Sequence, residues 1–68
     1  MVNAKGLFEK ALKHHQSGEL ASAASFYKKI LRDQPGNIDA IFFLGTLHLQ
    51  QGHLDMATMF LFQVIGRQ

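Results

Sequence analysis

Displaced by 34 residues, the sequence falls back on itself. Phe8 then meets Phe42, His14 meets His48, Gln16 meets Gln50, Gly18 meets Gly52, Leu20 meets Leu54, Ala23 meets Ala57 and Phe26 meets Phe60. Conservative pairs fill the intervals: Leu7 with Ile41, Ala11 with Gly45, Ile30 with Val64 and Leu31 with Ile65. Agreement concentrates at apolar and small positions, which makes the repeat structural. Each copy must fold into the same small unit, and the two units must stack to bury what one alone leaves in water.

Each unit reads as two helices. Leu7, Phe8, Ala11 and Leu12 recur at three- and four-residue intervals before the central glycine, and Leu20, Ala23, Ala24, Tyr27, Ile30 and Leu31 do so after it. Gly18, in Gln16-Ser-Gly-Glu19, and Gly52, in Gln50-Gln-Gly-His53, stand where a helix carboxyl end needs a residue free to take positive φ. Between the copies Pro35-Gly36-Asn37 ends one helix, and the Asn37 side chain is suited to cap the next. The pattern predicts helices near residues 3 to 16, 20 to 33, 38 to 51 and 54 to 66. The fold expected is all-α, a single domain over 1–68, with repeat 1 over about 4–37 and repeat 2 over about 38–68, truncated at its end.

Of the 68 residues, 47% are hydrophobic and 18% charged, the balance of a folded chain rather than a disordered one. A core this small supplies about 3 to 5 kcal/mol, and no cysteine braces it. The net charge of +2 is slight and uneven. Lys5, Lys10, Lys13, Lys28, Lys29 and Arg32 lie in the first half, and Arg67 alone in the second. No secretory leader or membrane-length apolar run is present, so a cytoplasmic location and no membrane contact are expected. No catalytic constellation stands out, and a non-enzyme without a cofactor is expected. Glu9, Glu19, Asp33, Asp39 and Asp55 are scattered over helix ends and turns, and there is no glycine-rich phosphate loop. His14 and His15 point apart on a helix while His48 and His53 straddle a turn, which argues against a metal site.

The period and the order of large, small, aromatic, glycine, alanine and proline positions resemble the tetratricopeptide repeat. Ile41, Leu44 and Gly45 match the family's first helix, Ala23 and Ala57 its small interhelix position, Tyr27 and Leu61 the large position that follows, and Pro35 its terminal proline. Two departures stand out: Lys10 occupies the place of Leu44, and no proline follows the second copy. The resemblance implies two helix-turn-helix hairpins stacked as a short solenoid. Ala11, Ala23, Gly45 and Ala57 would let helices cross closely, and Phe26, Tyr27 and Phe60 would fill the space between hairpins. It also puts His14 and His48 at a position of packed aromatics inside each hairpin.

By the same resemblance the first helix of each repeat lines a concave groove. Lys5, Phe8, Leu12 and His15 would face it from repeat 1, with Asp39, Phe42, Thr46 and Leu49 from repeat 2. This mostly apolar surface suits a helix or extended segment of a protein partner. The lysine and asparagine clamp by which some family members grip a carboxyl terminus is absent. The plainer alternative is that Phe8 and Phe42 merely pack on each other. A second function is self-association through the last helix, where Met56, Met59 and Phe62 replace Ser22, Ser25 and Lys28. That apolar helix is expected to be covered by a second copy or by a further part of a longer protein. The remote alternative is nucleic-acid binding by Lys10, Lys13, Lys28, Lys29 and Arg32 of repeat 1, which lack interleaved aromatics.

Overall fold

The computed structural model describes residues 4–66, which form four helices in chain order: α1 (Ala4–Gln16), α2 (Leu20–Asp33), α3 (Ile38–Gln50) and α4 (Leu54–Gly66). The bounds meet those expected to within a residue. The start expected at Asn3 lies outside the described residues. Helices α1 and α2 pack as one hairpin, α3 and α4 as a second, and α2 lies against α3 to join them. This all-α stack follows from three local devices.

The turns within the two hairpins are the same motif. Gly18 takes φ of 80° and Gly52 φ of 79°. In the first turn the Glu19 amide donates to the His14 carbonyl at 2.9 Å and Gly18 to His15 at 3.1 Å; in the second, His53 donates to His48 at 2.9 Å and Gly52 to Leu49 at 3.1 Å. This pairing satisfies carbonyls that a helix end otherwise leaves open, and it needs a residue without Cβ at the left-handed position. Between hairpins, Asn37 Oδ1 accepts from the Ala40 amide at 3.0 Å, the expected cap of α3.

The core is built from small residues and a few large ones. Ala11, Ala23, Ala24, Ala40 and Ala57 are buried together with Tyr27, Ile30, Ile41, Leu44 and Leu47. Gly45 marks a close approach of α3 and α4: a Cβ there would lie 3.0 Å from the Phe60 Cβ. Helices can cross this closely only when one of them presents no side chain at the contact. Where repeat 2 buries Leu44, repeat 1 leaves Lys10 exposed, so α1 contributes only Ala11 to the fully buried set.

Of the three aromatics expected between the hairpins, Tyr27 is there, stacked on Phe43 of α3 with centroids 6.1 Å apart. Phe26 and Phe60 instead stack inside their own hairpins, on His14 at 5.4 Å and on His48 at 5.5 Å. Both histidines thus hold the packed-aromatic position expected of them.

Candidate functional site

Lys5, Phe8, Leu12 and His15 recur on α1 at intervals of three, four and three residues, and Asp39, Phe42, Thr46 and Leu49 recur identically on α3. Each set therefore forms one stripe along its helix. The stripe on α3 is open: Phe42 is 45% and Leu49 51% exposed, and Asp39 is exposed beside them. Thr46 is half-buried, and its hydroxyl donates back to the Phe42 carbonyl at 3.0 Å. On α1, Lys5 is exposed while Phe8, Leu12 and His15 are half-buried.

Contacts bring the two stripes side by side. Phe8 meets the Phe43 ring edge-on at 5.2 Å, and Phe43 in turn meets Phe42 at 5.5 Å. Phe43 thus touches both expected groove aromatics. At one end of the stripes a cleft of about 350 Å³ is lined by Ala4, Lys5, Phe8, Glu9, Asn37 and Asp39. Three of the eight expected residues meet there. The surface combines an apolar floor with one lysine, two carboxylates and an amide, a lining that supplies both anchoring area and orientation.

At the other end His15 is held from both sides. Its Nδ1 lies 3.2 Å from the Tyr27 hydroxyl and its Nε2 2.5 Å from Gln50 Oε1. A single neutral tautomer serves both contacts: Tyr27 donates to Nδ1, and Nε2–H donates to Gln50. Burial pushes the Tyr27 phenol up from its ordinary range, which keeps it a donor. His15 therefore ties α1, α2 and α3 together, and its ring is engaged rather than free for a partner.

Phe43 and Gln50 carry these contacts and were not among the expected groove residues. The repeat itself holds the signal for Phe43, because its equivalent is Glu9: a large aromatic replaces a charge. Gln50 repeats Gln16 and so offered no such contrast.

A comparable substitution separates the two stacked histidines. His14 Nδ1 donates to the Glu19 carboxylate at 3.0 Å. At the equivalent of Glu19 stands His53, 5.8 Å from the His48 ring between centroids. His48 is 4% exposed, and neither of its ring nitrogens makes a hydrogen bond of standard geometry. Desolvation pulls its pKa below the ordinary 6.5, His53 and Lys28 add to the effect, and the Gln51 side chain opposes it. The folded state thus holds this proton less tightly than the unfolded chain. Stability from this group is present above pH 6.5 and falls as pH drops through that value toward the lowered pKa. Replacing His48 with phenylalanine removes an unsatisfied buried group worth about 1 to 3 kcal/mol. It is expected to stabilise the chain by about 1 kcal/mol at pH 8 after some overpacking, and by more at pH 5. Urea unfolding at both values checks this, and a gain no larger at pH 5 than at pH 8 would contradict it.

A match to the tetratricopeptide repeat model spans residues 14–67, most of the chain. The chain belongs to the tetratricopeptide repeat family. Comparison with curated proteins and with solved structures gave no match. Membership fits the four helices as two repeats, and it implies a protein–protein interaction scaffold, a role typically filled without catalysis. No described helix is long and apolar enough to cross a membrane. Among the described residues no group of three or more His, Cys, Asp or Glu side chains is placed to hold a metal. Of the five bases considered for nucleic acid, Lys28, Lys29 and Arg32 line a shallow recess on α2 of the tetratricopeptide unit, and Lys29 rests over the Phe26 ring. Lys10 and Lys13 stand apart on α1.

Proposed function

We propose that the chain holds a helical or extended apolar segment of another protein in the groove formed by α1 and α3. The observation that carries this reading is the open apolar stripe of α3: Phe42 and Leu49 have about half their surface in water, and a cleft lined from both α1 and α3 opens at the Asp39 end of the stripe. Leaving such side chains exposed costs stability that covering them recovers, at roughly 25 cal/mol per Å². The mixed rim of Lys5, Glu9 and Asp39 favours neither a strongly acidic nor a strongly basic segment. Orientation of the guest then falls to hydrogen bonds and to the fit of apolar side chains on Phe42 and Leu49.

The test uses fluorescein-labelled amphipathic peptides carrying leucine every three to four residues, with scrambled peptides as control. The amphipathic peptides are expected to bind and the scrambled ones to bind far more weakly. The F42E and L49E variants are each expected to weaken binding at least about tenfold while the chain stays folded, F42E melting somewhat lower because it also loses the Phe43 ring contact. Equal binding of all peptides, or unchanged affinity in F42E, would refute the groove.

A further inference from the structure

The packing of the second hairpin on the first shows what a following hairpin would cover on α4. Where α3 lies against α2, Ala24 and Tyr27 are buried and Leu20 and Leu31 half-buried. Their equivalents on α4 are Thr58, Leu61, Leu54 and Ile65. Ser22, Ser25 and Lys28 of α2 remain exposed in spite of that stacking. They occupy the outer side of the solenoid, and their equivalents are Met56, Met59 and Phe62. These three are 42%, 65% and 66% exposed. Stacking of another hairpin in the same manner would half-bury Leu54 and Ile65 and still leave this outer stripe in water. A second, separate contact is needed to cover it.

We infer that the outer stripe of α4 is the contact by which two copies of this chain pair about a two-fold axis. Charge and register select this occupant. The exposed surface of α2 carries Lys28, Lys29 and Arg32, so two copies meeting there would bring like charges together. Helix α4 contains one charged residue, Asp55. With Met59 on the axis and the two helices antiparallel, Met56 of each copy faces Phe62 of the other, a thioether against an aromatic ring. In the same register Asp55 faces Gln63, an amide able to donate to the carboxylate. No like charges oppose one another, and a self-complementary patch is what a closed dimer requires. The stripe presents roughly 400 Å² per copy, about half the ~800 Å² per partner of a standard stable interface. The pairing is therefore weak, with a dissociation constant of about 10 to 500 μM.

This contact lies outside the α1 and α3 groove, so its failure would leave the proposed peptide binding intact. Sedimentation equilibrium of the chain from low micromolar to millimolar concentration is expected to show a monomer passing to a dimer. The M59K/F62K variant is expected to raise the dissociation constant at least about thirtyfold while keeping its helical circular dichroism and its peptide affinity. The L54K/I65K variant, changed on the stacking side, is expected to dimerise like the parent. Because the chain has no cysteine, M59C is expected to cross-link to itself under mild oxidation faster as concentration rises, and S25C is not. A parent chain monomeric over the whole range would overturn the inference. So would a dimer lost in L54K/I65K and retained in M59K/F62K, which would assign the contact to end-to-end stacking of hairpins.

Discussion

Replacing Tyr27 with alanine is expected to leave the chain largely unfolded at 25 °C. The side chain is fully buried. It stacks on Phe43 of the second hairpin, meets the Phe8 edge at 5.8 Å, and donates from its hydroxyl to His15. With His15 and Phe43 it forms the contact that joins α1, α2 and α3. Truncating a buried aromatic costs about 3 to 5 kcal/mol, the lost transfer energy plus the cavity left behind. A small core of this kind supplies a total of about 3 to 5 kcal/mol, so the loss consumes the margin. The measurement is far-ultraviolet circular dichroism with urea titration. The parent should give a sigmoidal transition and Y27A a low helical signal without one. Tyr27→Phe keeps the rings and loses only the hydrogen bond, for about 0.5 to 1.5 kcal/mol. A Y27A chain that stays folded and loses less than about 1 kcal/mol would show that the hairpins do not depend on this contact.

Features set by backbone chemistry were readable without coordinates because single residue types govern them. Gly18 and Gly52 announce left-handed turn positions, Asn37 announces a cap, and each does in the structure what its chemistry allows. Features set by three-dimensional neighbours were not. His14 and His48 are identical by repeat, yet His14 donates to Glu19 whereas His48 is buried with no hydrogen bond of standard geometry, the residue five positions on having changed from glutamate to histidine. Phe26 and Phe60 read from the sequence as filler between hairpins, whereas the histidine rings take their faces. The two matched stripes of α1 and α3 were readable, whereas Phe43, which touches Phe8 and Phe42, sits where the repeat breaks. Departures from the repeat were the informative positions: Phe43 for Glu9, His53 for Glu19, and Met59 and Phe62 for Ser25 and Lys28. Each changes a neighbour's environment without changing the backbone that both copies share.

Gly45 tests the limit of that shared backbone. Its equivalent, Ala11, is fully buried, so a hairpin of this geometry can accommodate a methyl group at this position. In the second hairpin, however, a Cβ on residue 45 would meet the Phe60 Cβ at 3.0 Å and the Leu61 Cδ2 and Cγ at 3.2 and 3.3 Å. The Leu61 atoms belong to a side chain that can rotate. The Phe60 Cβ is fixed to the α4 backbone, and only separation of α3 and α4 moves it away. Gly45→Ala gains about 1 kcal/mol of helix propensity and loses a similar or somewhat larger amount to that separation. A net loss of about 1 kcal/mol or less is expected. Gly45→Leu has no such compensation. Its side chain must enter a contact with no room beyond the first carbon, so α4 is expected to be displaced and the second hairpin lost, at about 3 kcal/mol or more. Urea unfolding ranks the pair, and nuclear magnetic resonance of the α4 methyl groups shows whether the helix has left. If G45L were as stable as the parent, α3 and α4 would have to pack farther apart than the 3.0 Å approach at Gly45 requires.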